Sequence, residues 1–306
     1  MPWQFLMSVG PMCFADLVVD TALQLNNRAL RTLADRRGLL SEEEVHRLRV
    51  SVKRLRALWQ LVRRAAPEAE YTEARPRLKT IHAALAAARD VSVIVETLER
   101  LAIKAESDRV RDAVLEFAAA FGGDLPPTVL AIPIGRVSEC FQEESRAWRE
   151  IELNAEHDDL LIAGYVHGYR SGRRLGKRAL HDGDWRALHR WRRWVKFSLH
   201  QLDVINPGLG EVNRARRWYL DRLGDTLGVH NDCAMLLERL DDFRIRRRER
   251  DCISHELETR IDSTRARAAK LYPYAYGDSR RAFEAEVRAD IARLALDQTY
   301  LLPRSA

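Results

Sequence analysis

His46, Arg49, Lys53 and Arg56 stand three, four and three residues apart, and Gln60 and Arg63 continue the spacing. On an α-helix that spacing puts them on one stripe, because residues three and four apart are neighbours along the axis. The stripe holds cations and no acid. An ordinary solvated face mixes both signs, so a one-sign stripe beside a buried face suits an anion. Arginine offers bidentate contacts to phosphate-type oxygens and lysine a point charge. A linear anion with evenly spaced charges would engage several of them and release counterions. The bland alternative is that these long side chains lie over apolar core and reach out to solvent.

The arrangement returns. His189, Arg192 and Lys196 repeat His, Arg at +3 and Lys at +7, each 143 residues after its first-half counterpart. Trp191, Val195, Leu202 and Ile205 take the places of Leu48, Val52, Trp59 and Val62. A second landmark, Leu85-x4-Asp90, recurs 142 residues later as Leu227-x4-Asp232. Two landmarks with nearly one offset argue for an internal duplication, with halves 1–135 and 136–306 sharing a core. If both stripes turn inward onto a common cavity, their mutual repulsion is relieved by a bound polyanion. The recurrence favours that reading over solvated faces.

The elements that must position these residues are helices. Ser41 with Glu44 three residues on forms a capping box, and Pro67 closes the run, giving about six turns. Leu48, Val52, Leu55, Trp59 and Val62 make its apolar stripe. Phe14–Arg36 precedes it with Gly38 as C-cap. After Pro67 a helix carries Leu78, Ile81 and Leu85 and continues past Arg89-Asp90 to Leu101, with Lys79 nearly on the face of Arg89. Asp108–Phe121 follows, and residues 122–135, GGDLPPTVLAIPIG, read as the connection between halves. The second half predicts a helix from Val137 through Trp148, a turn at 154–159, and a helix through Tyr165 and Lys177 ending near Gly183. Asp184 then caps Trp185–Ile205, and Val212–Gly228 and His230 to about Tyr272 come after. Arg244–Arg250 reads as a solvated face. No period-2 strand is apparent, so the expected class is all-α.

Composition sets the bounds. Of 306 residues 46% are hydrophobic, enough for a packed core. Lys and Arg number 51 against 45 Asp and Glu, a formal +6. The distribution matters more: between Arg170 and Lys196 the only acids are Asp182 and Asp184. The four cysteines form no CxxC pair, which argues against structural zinc or a disulfide framework and for a reducing cytoplasm. The apolar N-terminus lacks a basic leader and is broken by Pro11 and Asp16, so it reads as the entry to a first helix. No run approaches the length of a membrane span, and a soluble protein is expected.

Other residues could do chemistry as well. His46 and His189 are either phosphate donors or bonds to a neighbouring helix. Asp90 and Asp232 are either acid catalysts or groups that orient a cation or cap a turn. His157-Asp158 and His181-Asp182 invite comparison with metal-dependent phosphohydrolases, but nothing in the spacing converges ligands on a metal. There is no phosphate-binding GxxxxGK[ST] loop, no nucleophile elbow and no HExxH.

HRLRVSVKRLRALWQL resembles the first signature of the conserved histidine α-helical domain, the CHAD domain. LAAARDVSVI is similar to its following Leu-Gly-x-x-Arg-Asp element, and HRWRRWVKF and LGVHNDCAMLL to the matching elements of its second half. The resemblance implies two pseudo-symmetric helical bundles around a central basic channel. It also implies binding of inorganic polyphosphate, association with polyphosphate granules, and no catalysis by the domain itself; no metal or cofactor is expected. Carried over by position, the binding residues are His46, Arg49, Lys53, Arg56, Lys79 and Arg89 in the first half. In the second they are His189, Arg192 and Lys196, with Arg170, Arg173 and Lys177 from the preceding helix. The second half departs from the pattern: Phe197-Ser198-Leu199-His200 replaces Arg-Leu-Arg-Tyr, and Leu199 and Asp221 stand where the first half has Arg56 and Lys79. Ala86 also replaces the usual glycine. The first half is therefore expected to carry more of the binding. The rivals are a metal-dependent phosphohydrolase and a nucleic-acid-binding helical module.

Overall fold

Five apolar residues at helical spacing decide the centre of the molecule. In the computed structural model, which describes residues 13–34, 39–86, 97–99, 102–103, 108–122, 129–242 and 246–301, Leu48, Val52, Leu55, Trp59 and Val62 are all buried. Each such side chain contributes about 1.5–3 kcal/mol by leaving water. They lie on α2 (Glu42–Val62), which begins as its sequence dictates. Ser41 Oγ accepts from the Glu44 amide at 3.3 Å, and the Glu44 carboxylate accepts from the Ser41 amide at 2.8 Å.

The described chain is all-α apart from one antiparallel pair of three-residue strands, β1 (Leu39–Ser41) and β2 (Val129–Ala131). That pair corrects the expectation of no strand; β2 falls within residues 122–135, the stretch expected to connect the halves. Three residues are too few to show an alternating pattern; the ladder satisfies backbone groups just ahead of the α2 cap.

Around α2 the order is α1 (Phe14–Ala34), α3 (Glu68–Ala86), α4 (Asp108–Gly122) and α5 (Ile134–Glu150). Then come α6 (Asp158–Asp182), α7 (Trp185–Val204), α8 (Glu211–Arg239), α9 (Arg247–Tyr276) and α10 (Arg280–Leu301). The starts of α6, α7 and α8 fall 144, 143 and 143 residues after those of α1, α2 and α3. Contacts recur too: α1 packs on α2 and α5 as α6 packs on α7 and α10, and α2 lies on α3 as α7 lies on α8. The helices α2 and α7 cross directly. One core draws residues from both halves, including Leu55, Trp59, Trp191, Val195, Leu202 and Ile205. A smaller core joins Leu98 and Val114 to Leu236 on α8 and Leu257 on α9.

The seating of α6 on both α2 and α7 is close because of what is missing. A Cβ on Gly164 of α6 would overlap the Leu61 carbonyl of α2, and one on Gly168 would sit 2.7 Å from Gln201 Oε1 on α7. Glycine in a helix interior costs about 0.5–1 kcal/mol relative to alanine, and here the approach of two backbones offsets it. Gln201 Nε2 then donates to the Ala57 carbonyl at 3.1 Å, and Tyr165 Oη to the Gln201 carbonyl at 2.8 Å. A second pin is Glu144 of α5, fully buried, which accepts from the indoles of Trp59 and Trp148 and from Arg77 Nε. Burial pushes its carboxyl above the usual range despite those donors.

The turn from α6 to α7 is as expected. Gly183 ends α6 at φ 69°, and the Asp184 carboxylate accepts from the amides of Arg186 and Ala187 at 3.0 and 3.2 Å. Farther on the boundaries differ. The helix α8 runs unbroken through Gly228, where two helices were expected, and the break comes instead at Leu240–Asp242 before α9.

Candidate functional site

The α2 stripe lies in the groove between α2 and α3. Arg49 is half-buried and its Nη1 donates to the Leu85 carbonyl at 3.0 Å. Arg56, also half-buried, donates from Nη2 to the Leu78 carbonyl at 3.3 Å. Lys53 is half-buried between them, His46 is exposed at the N-terminal end, and Lys79 is exposed on α3. Arg89 and Asp90 lie outside the described residues.

The α7 stripe occupies the equivalent groove against α8. The Arg192 guanidinium lies over Gly228, with Nη2 3.3 Å from where a Cβ would be. Lys196 passes over Gly224, whose Cβ would meet Lys196 Cε at 2.6 Å. Two acids hold it: Nζ is 3.1 Å from Asp225 Oδ1 and 3.5 Å from Asp221 Oδ1. His189 is half-buried and its Nδ1 shares a short hydrogen bond with Asn231 Oδ1.

Between the halves the cations gather differently from the sequence expectation. Burial holds the Arg56 guanidinium below its ordinary range, and the charge of Arg193 on α7 adds to the effect. His167 on α6 packs edge-on to Trp194 at 5.4 Å. Its imidazole is held below the ordinary value by burial, then by Arg64, Arg63, Arg170 and Arg174. The C-terminal end of α2 thus meets the arginines of α6. Of this group Arg56 and Arg170 were expected as site residues, and Arg63 only as the end of the α2 stripe. Arg64, Arg174 and Arg193 were not expected. Among the described residues none of Arg56, Arg63, Arg64, Arg170, Arg174 and Arg193 forms an ion pair with a carboxylate. Arg173 and Lys177 are exposed on α6, and the Arg173 carbonyl accepts from Tyr272 Oη at 2.9 Å.

A mixed cluster joins α2, α7 and α8. Asp203 on α7 accepts from Arg217 at 2.6 Å and lies 3.3 Å from His200 Nδ1 and 4.0 Å from Arg54. These partners hold its carboxyl below the usual range although burial opposes them. Burial in turn keeps the His200 imidazole low.

The His-Asp dipeptides are engaged locally. Asp158 accepts from the Ala15 amide at 3.2 Å at the start of α1, and His157 pairs with Asn154. Asp182 is held by Arg178 and His181, each at 3.1 Å. His230 and Asp232 sit inside α8, so Asp232 caps no turn.

A helical crossing with flanking cationic grooves is the setting in which the comparisons fall. The family profile of the CHAD domain matches residues 22–241, and the chain belongs to that family. Its fold is similar to the crystal structure of the CHAD domain from the plant Ricinus communis. The TM-score is 0.50 and the identity 18%, with 99% of this chain and 98% of that chain covered. No curated protein matches the chain.

Proposed function

We propose that the protein binds inorganic polyphosphate without catalysing a reaction on it, and that this binding directs it to polyphosphate granules in the cytoplasm. Family membership supports the ligand class. One observation in the structure supports the place: Arg56 meets the field of Arg193, and Arg63, Arg64, Arg170 and Arg174 surround His167, all without a described carboxylate in ion-pair range. Like charges held together in a folded chain repel, and a polyanion laid along them removes that cost. In this reading the two halves are copies of one helical unit, and the phosphate chain runs along α2 and over α6 through a basic channel at their junction. Arg49 and Lys53 line its entry, and charge-assisted contacts of about 1.5–3 kcal/mol each hold the phosphates.

Arg56→Glu combined with Arg193→Glu tests the placement. Titration calorimetry with long-chain polyphosphate should show affinity reduced by about 100-fold or more, with far-UV circular dichroism unchanged. Binding at wild-type strength in a folded double variant would remove the proposal.

A further inference from the structure

The helices α8 and α9 run antiparallel, with Tyr219 opposite Tyr274 at one end and Leu236 beside Leu257 at the other. On their outer face three aromatic rings meet. Tyr219 and Tyr274 stack at 4.6 Å and 14°, and Trp218 meets Tyr219 edge-on at 4.8 Å. Trp218 remains 51% and Tyr274 61% exposed, so Tyr274, with one face on Tyr219, turns the other to solvent. The Arg222 guanidinium lies over Trp218 at 4.7 Å. Lys270 and Arg267 stand four and seven residues before Tyr274, on its side of α9, and both are exposed. Among the described residues Arg222, Arg267 and Lys270 make no ion pair, and the nearby Asp221 and Asp225 are turned to Lys196.

Inorganic polyphosphate has no use for a flat ring. A nucleobase does, because every base offers a π-face and each stack on an aromatic side chain is a substantial part of single-strand affinity. Guanidinium over indole adds a further surface on which a base can lie. We propose that this α8–α9 face binds single-stranded nucleic acid, with bases stacked on Tyr274 and Trp218 and phosphates reached by Arg222, Lys270 and Arg267. The site shares no residue with the proposed polyphosphate path, so either can fail without the other.

The test uses the full chain and a fluorescein-labelled oligothymidylate of about 16 nucleotides, followed by anisotropy at one fixed salt concentration. Trp218→Ala with Tyr274→Ala should weaken this binding about tenfold or more while polyphosphate affinity moves less than about twofold. Trp218→Phe with Tyr274→Phe keeps the rings and should stay within about threefold of wild type, which separates loss of stacking from loss of fold. The proposal is overturned if wild type does not bind the strand or the alanine variant binds it as wild type does. It is also overturned if an abasic strand of equal length binds as tightly, since charge alone would then suffice. Sedimentation showing a dimer that Trp218→Ala dissolves would assign the face to a second copy of the chain and overturn it as well.

Discussion

The two cation-bearing grooves of this protein are built alike and differ in how the charge is answered. In the α2–α3 groove Arg49 and Arg56 donate to main-chain carbonyls, and the strongest electrostatic neighbour of Arg56 is another arginine. In the α7–α8 groove Lys196 sits between Asp221 and Asp225, and Leu199 stands where an arginine stood in the first half. A carbonyl orients a guanidinium without cancelling its charge; a carboxylate cancels it. The same scaffold thus leaves Arg56 beside another arginine in one groove and ties its lysine to two carboxylates in the other.

Three experiments bear on that contrast, in order of expected size. Reversing charge in the first groove, Arg49→Glu with Lys53→Glu, should lower polyphosphate affinity about 100-fold, whereas Arg192→Glu with Lys196→Glu should lower it less than about fivefold. Equal losses in calorimetry would mean that both grooves bind alike. Removing the acids, Asp221→Asn with Asp225→Asn, should release Lys196 and raise affinity about three- to tenfold. An unchanged dissociation constant would show that Lys196 stays out of reach even when unpaired.

The smallest effect is on pH dependence. His167 is held below its ordinary 6.5, so in the free protein its neutral form adds stability above that pH, and this is lost as pH falls through it. A bound polyanion favours the charged imidazole, raises its pKa and takes up a proton. Affinity should therefore rise about two- to threefold between pH 7.5 and 5.5, and His167→Gln should flatten the rise. A slope that survives the substitution would place the titrating group elsewhere.

Much of the scaffold was legible because local rules decide it. Ser41 and Glu44 cap α2, Gly183 and Asp184 turn α6 into α7, and the apolar stripes of α2 and α7 are buried where their spacing puts them. The site was legible only along single helices. Periodicity finds Arg49, Lys53 and Arg56 because they share one axis. It cannot find Arg193 or Arg174, whose nearness to α2 depends on how helices cross. The four-residue spacing of Gly164 and Gly168 is the sequence signal for the close seating of α6 on α2 and α7. Gly228 misled in the opposite direction. It looks like a helix terminator, but α8 continues through it, and the absent side chain makes room for Arg192. The strands were too short to declare themselves.

Gly164 sets the main chain of α6 on the Leu61 carbonyl of α2, and the Gln201 side chain of α7 reaches the Ala57 carbonyl of α2, so both second-half helices are seated directly on the α2 backbone. The larger core draws buried residues from both halves. A fragment of about 140 residues cut from either side would bare a strip of unsheltered helix whose natural cover is its counterpart. Such a fragment is expected to seek its complement, or a twin of itself, before it can hold its shape.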